Sequence, residues 1–175
     1  RVRSVFPDFS RLCLMTVVEK ALQLAQVVAS ELGMADMAVA YNRVKPHMEA
    51  SGRPVIQVGA DSITSGVKYL ALYERDINLL TARASGGVVL IDDVVTTGGT
   101  ALGLVDLLDQ VARLKNLPRP IALRGVFCVA EEGKRTRVLP APVHSLAQLP
   151  DPVVRAGARR SDSLQGRLWP RPHSA

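Results

Sequence analysis

The chain has 175 residues, 47% of them hydrophobic and 22% charged, with a formal net charge of +6. That length supports one domain with a substantial core, and the apolar content excludes an intrinsically disordered chain. No run of about 18 uncharged apolar residues exists, which excludes a membrane-spanning helix, and the basic balance suits a solvated surface or a phosphate-rich partner, with nucleic acid admissible but not favoured.

Residue 1 is Arg, and Met15 is an alternative start. Residues 1–16 read as an N-terminal segment, either part of a hood or foreign to the native chain. Thr16-Val17-Val18-Glu19 has the form of a capping box, with Thr16 as N-cap and Glu19 reaching back. Leu22, Ala25, Val28, Ala29 and Leu32 follow at helical spacing, and Gly33 is a natural stop. A helix is therefore predicted over 17–32. Met37–Tyr41 predicts a short strand. Asn42–Gly52 is polar, carries Pro46 and reads as a loop or short helix. Pro54–Val58 predicts a second strand and Val67–Tyr73 a third. Between them Gly59–Gly66, rich in small polar residues, reads as a mobile loop. Asp76–Ala82 is expected to pair beside the third strand.

Gly87–Ile91 is continuously apolar, as expected of a parallel strand covered on both faces. Thr100 can cap a helix running to about Leu114, with Leu104, Leu107, Leu108, Val111 and Leu114 on one side and Pro118 and Pro120 beyond its end. Ile121–Ala130 and Pro142–Leu149 predict two more strands. Strand, helix and strand in succession argue a right-handed crossover. The expected fold is a single α/β domain over 17–150, a mainly parallel twisted sheet flanked by helices. After Pro150 the composition turns arginine-rich without a periodic stripe, which predicts a basic, disordered tail over 151–175. Cys13 and Cys128 have no His or Cys neighbours at metal spacing and read as buried thiols of a reducing cytoplasm.

The chemistry concentrates in VVLIDDVVTTGGT, Val88–Thr100. Ligands of open α/β sheets sit at the carboxyl ends of strands. A strand-to-helix turn there aims backbone N–H groups outward at the positive end of the helix dipole, which makes an anion site. Gly98 and Gly99 let the backbone approach a phosphate, and Thr96, Thr97 and Thr100 can donate hydroxyls. No lysine completes a nucleoside-triphosphate P-loop. The acids Asp92 and Asp93 would repel a phosphate but suit neutral hydroxyls or a magnesium ion. A sugar phosphate with a vicinal diol meets both demands.

This stretch resembles the ribose-phosphate signature of the type I phosphoribosyltransferases. The resemblance implies that Asp92 and Asp93 hold the ribose 2′- and 3′-hydroxyls of phosphoribosyl pyrophosphate (PRPP), and Mg²⁺ directly or through water. It implies that Thr96, Thr97, Gly98, Gly99 and Thr100 hold the 5′-phosphate. Val126–Leu149 is similar to the last strand, loop and strand of adenine and orotate phosphoribosyltransferases. Val2–Phe9 (VRSVFPDF) is similar to the adenine enzymes, and TTGG to the orotate enzymes. The implied activity is transfer of the phosphoribosyl group to an adenine-type purine or to orotate with release of pyrophosphate, in a homodimer.

The family's pyrophosphate loop, after the first strand, would fall at Tyr41–His47, which has no glycine. Arg43 and Lys45, with His47, can supply charge there instead, Arg43 as the better bidentate partner. Lys68, the lysine nearest the expected lid Asp61–Gly66, is a further candidate for the pyrophosphate. Phe6, Phe9, Phe127 and Tyr69 are candidates to stack a base, each also a natural core residue. His144 reads as structural, and Glu74 and Asp76 as solvated. No residue stands out as a general base. A second reading is a PRPP-sensing regulator that binds nucleic acid or a protein partner, favoured by the basic tail and the altered pyrophosphate loop, and opposed by the absence of a helix-turn-helix segment. A PRPP synthase would need an ATP-binding segment, and a receiver-like domain gives no reason for TTGGT.

Overall fold

Seven strands and four helices are formed by residues 1–42, 55–62, 66–133 and 137–151, the part of the chain that the computed structural model describes. The strands are β1 (Leu12–Val17), β2 (Ala38–Ala40), β3 (Val55–Ser62), β4 (Gly66–Tyr73), β5 (Gly87–Val95), β6 (Leu123–Glu132) and β7 (Val143–Leu149). The helices are α1 (Val2–Val5), α2 (Leu22–Glu31), α3 (Glu74–Arg83) and α4 (Gly99–Leu114). Five strands make a parallel sheet in the order β2-β1-β5-β6-β7, and β3 and β4 form an antiparallel pair. This is the mainly parallel, helix-flanked α/β domain that the sequence pattern implies.

Side-chain alternation explains the unbroken apolar run of β5. Val88 and Leu90 face one way and join Met15, Val126, Cys128 and the α3 and α4 residues Ile77, Leu80, Leu104 and Leu108. Val89 and Ile91 face the other way and join Leu12, Leu14, Phe127 and the α2 residues Ala25 and Ala29. Each face is covered, so every position of the strand is apolar until the acids. Cys13 and Cys128 are both buried free thiols, as expected.

Five expectations are corrected. Residues 12–17 are neither a preliminary segment nor the start of a helix. They form β1, between β2 and β5, and the helix begins only at Leu22. Thr16 is fully buried and its Oγ1 donates to the Ile91 carbonyl at 2.9 Å, so its hydroxyl serves a neighbouring strand rather than a cap. Asp76–Ala82 does not pair as a strand but lies in α3, where Ile77, Leu80 and the following Ala84 recur at helical spacing against the core. The loop expected over Gly59–Gly66 is largely strand: Gly59–Ser62 belong to β3, Gly66 to β4, and Ser62 stands opposite Gly66. Strand pairing runs through the main chain, so small polar residues do not prevent it. Finally, β5 does not end at Ile91 but continues through both acids to Val95.

The β3–β4 hairpin joins the parallel sheet through two 2.8 Å hydrogen bonds exchanged by the backbones of Tyr41 and Ala71. Tyr41 and Tyr73 meet edge to face beside this junction, 5.1 Å between ring centroids. Among the described residues, no helix is long and apolar enough to cross a membrane.

Candidate functional site

At the carboxyl end of the sheet lies a cavity of about 560 Å³. One wall is the strand-to-helix turn Asp92–Ala101. Beside it the cavity is lined by the chain leaving β1, Val17–Ala21, and further by Asn42, Leu70, Glu132 and Leu149. The sheet order explains this convergence: β1 and β5 are adjacent parallel strands, so the connections that follow them emerge side by side.

The turn opens α4, and a helix N-terminus of this kind can receive an anion. Gly98 is the N-cap of α4 with φ +80°, in the left-handed region. That conformation favours glycine, and a Cβ there would also stand 2.8 Å from Leu139 Cδ2, so the leucine side chain would have to shift. The first helical hydrogen bond runs from the Leu102 N–H to the Gly98 carbonyl at 3.1 Å, which leaves the N–H groups of Gly99–Ala101 ahead of the helical ladder. The Gly99 N–H donates to Thr97 Oγ1 at 3.4 Å, a long bond that a ligand oxygen can displace. Thr100, expected as the cap, instead occupies the first turn of α4, one residue after it begins. Its half-buried side chain still lines the cavity.

Asp92 and Asp93 are both half-buried and both line the cavity. The Asp93 N–H donates to Asp92 Oδ1 at 2.9 Å, which fixes the first carboxylate relative to the backbone of the second. The fold thus brings Asp92, Asp93, Thr96, Thr97, Gly98, Gly99 and Thr100 to one wall, as the motif implies.

The other expected site residues fare differently. Arg43, Lys45 and His47 lie outside the described residues. Lys68 stands in β4 opposite Ala60 of β3. With β1 recognised as the first strand, the loop that follows it is Val18–Ala21, not Tyr41–His47. Val18, Glu19, Lys20 and Ala21 line the cavity and were missed because Thr16 and Glu19 imitate a capping box; the six apolar-to-Thr residues before them were the signal of a strand. Among the described residues lining the cavity, Lys20 is the one cation, beside the carboxylates of Glu19, Asp92, Asp93 and Glu132.

Of the aromatic candidates for base stacking, Phe6, Phe9 and Phe127 do not line this cavity. Phe6 meets Phe127 edge to face at 6.2 Å, and Phe127 stacks on His144 at 4.6 Å. Phe6, Phe9 and Phe127 belong to the core on the α2 side of the sheet. His144 is structural, as expected, although its buried Nε2 has no hydrogen-bond partner among the described residues. Asp76 is not solvated but 4% exposed. Its Oδ1 accepts the Val39 N–H at 3.0 Å and Arg75 Nη1 at 2.8 Å. Burial raises its carboxyl pKa above the usual Asp value, with those hydrogen bonds and the Arg75 charge opposing the rise. Asp76 therefore ties α3 to β2 and takes no part in the cavity.

Compared by sequence, the chain matches no protein-family model and no curated protein. Solved structures do match its fold. An adenine phosphoribosyltransferase from Thermoanaerobacter pseudethanolicus superposes with a TM-score of 0.58 at 13% identity, over 85% of this chain and 76% of that one. The adenine phosphoribosyltransferase of Saccharomyces cerevisiae, complexed with an imino-altritol bisphosphate and adenine, gives 0.58 at 16% identity over 82% of this chain and 72% of that one. The enzyme from Trypanosoma brucei, in complex with AMP, pyrophosphate and ribose-5-phosphate, gives 0.51 at 16% identity over 95% and 68%. The architecture that carries the Asp92–Thr100 turn is the type I phosphoribosyltransferase fold.

Proposed function

We propose that the chain is a nucleobase phosphoribosyltransferase, which moves the phosphoribosyl group from PRPP to an adenine-type purine or orotate and releases pyrophosphate. The observation that carries this reading is the single wall made by Asp92, Asp93 and the Thr96–Thr100 turn. It offers two acceptors for a diol beside an amide-rich cradle for a phosphate. The solved structures with this fold support it, two of them complexed with adenine or with AMP, pyrophosphate and ribose-5-phosphate.

In this reading Asp92 and Asp93 orient the ribose, and the turn anchors the 5′-phosphate. The loop Val18–Ala21, which carries Lys20, takes the pyrophosphate. The C1′–O bond breaks with its electron pair leaving on pyrophosphate. A ring nitrogen of the base forms the new bond to C1′, and the ring proton is released. Holding the two reactants in line and stabilising the departing charge account for the rate, without a covalent nucleophile.

A divalent cation fits the donor set present. Mg²⁺ is commonly bound through one or two carboxylates and completed by water and substrate phosphates. Asp92 and Asp93 provide that pair, although no cluster of three or more metal-binding side chains is assembled among the described residues. Bound there, Mg²⁺ would supply charge neutralisation for the pyrophosphate.

The test is labelled PRPP with Mg²⁺ and a mixture of adenine, guanine, hypoxanthine, xanthine, uracil and orotate, followed by product analysis. A labelled nucleotide establishes the reaction. PRPP binding without any product would favour a PRPP-sensing regulator, and no binding would remove both.

A further inference from the structure

We infer that Glu132 selects the base, admitting one that presents an exocyclic amino group and rejecting one that carries an anionic substituent. The inference rests on the phosphoribosyl reading above and names its second substrate. Displacement at the anomeric carbon with attack from the opposite face of the sugar separates the incoming and leaving groups across the ring. The acids that orient the ribose sit on β5, which lies between β1 and β6 in the sheet. The loop after β1 takes the leaving group, so the base falls on the other side, toward the ends of β6 and β7.

At that end the cavity is lined by Glu132 and Leu149, register partners across β6 and β7. Partners in register project to the same face of a sheet, so the carboxylate and the apolar side chain border one space. Glu132 is half-buried, and Leu149 is 40% exposed. A carboxylate only accepts hydrogen bonds. It therefore matches N–H donors on the edge of a base such as adenine. Against orotate it places like charges together in a partly desolvated pocket, and this repulsion discriminates strongly. Leu149 offers an apolar surface to the ring. Lys20, the one cation lining the cavity among the described residues, follows β1, on the other side of β5 from Glu132.

The experiment pairs PRPP binding by calorimetry with kcat/KM for adenine and for orotate, in the parent, Glu132→Ala and Glu132→Gln. The parent is expected to use adenine and not orotate. Glu132→Ala should lower kcat/KM for adenine by roughly tenfold or more, as when a hydrogen-bonding partner of a bound base is lost. Its PRPP affinity should be unchanged. Glu132→Gln, whose amide oxygen still accepts, should keep more of the adenine activity than Glu132→Ala. Orotate used as well as adenine overturns the inference. Adenine kinetics unmoved by Glu132→Ala overturn it as well. PRPP bound with no base converted also overturns it, while the PRPP site stands. A parent that binds no PRPP overturns the phosphoribosyl reading itself and this inference with it.

Discussion

Thr16 and Ile91 are joined across two strands: the buried Thr16 hydroxyl donates to the carbonyl of the residue just before the acid pair, at 2.9 Å. The bond fastens β1 to β5 where the apolar run gives way to carboxylates. Thr16→Val keeps the outline of the side chain and removes the donor. A buried acceptor that loses its partner costs about 1–2 kcal/mol. Urea unfolding should show a lower midpoint at unchanged slope, with Thr16→Ser closer to the parent. An unmoved midpoint would mean that the Ile91 carbonyl needs no second donor.

Gly98→Ala meets two obstacles that can be separated. Its φ of +80° costs an alanine roughly 1–2 kcal/mol, and the new methyl would press on Leu139 Cδ2. Thermal unfolding should show Gly98→Ala destabilised. Gly98→Ala should also weaken PRPP binding, and Gly98→Ala with Leu139→Ala should recover only part of that affinity, because clearing the methyl does not restore the turn. PRPP affinity returning to the parent's in the double variant would show that the clash alone mattered.

Asp93→Asn and Thr97→Val should each weaken PRPP binding by roughly tenfold or more, the worth of one hydrogen bond to a charged partner. Lys68→Ala should change it far less. Calorimetric titrations with Mg²⁺ decide this, and four superimposable isotherms would remove the site from the Asp92–Thr100 wall.

Asp76 gives the acid limb of stability a definite sign. Its folded pKa lies above the usual value of 3.8, burial being the main cause. The folded state therefore holds the proton more tightly than the unfolded state, and stability from this group falls as pH rises from the unfolded to the folded pKa. The parent should gain stability relative to Asp76→Asn as pH is lowered through that interval. Urea unfolding over a pH series measures it; a constant difference would show that Asp76 titrates alike in both states.

The turn at the site was legible because its chemistry is local. Paired acids, hydroxyls and two glycines within nine residues leave few other roles, and α4 follows with an apolar side that the core confirms. The edges of the sheet were less legible. Leu12–Val17 contains a threonine that imitates a cap, and only the pairing with Ile91, 75 residues away, shows why a hydroxyl belongs in that strand. Missing β1 also moved the loop that follows the first strand from Val18–Ala21 to Tyr41–His47. In α3 the first-turn acids Glu74 and Asp76 fit a helix start but were read as solvated, and Asp76 is buried through partners on β2 that no local pattern discloses. The β3–β4 pairing depends on main-chain groups, about which side-chain composition says little.

The strand that carries the acids starts at Gly87, with φ +111°, and the turn after it is set by Gly98, with φ +80°. A Cβ at Gly87 would meet the Ala122 carbonyl, and one at Gly98 would meet Leu139, so neither end can move along the chain to a different residue. Because neighbouring positions on a strand face opposite ways, a slip of one residue would exchange Asp92 and Asp93 and turn the apolar run inside out. Between these glycines the chain works as a ruler. Substitutions there can be graded, but a single inserted or deleted residue is a change of kind, and the spacing is as much a part of the site as the side chains it carries.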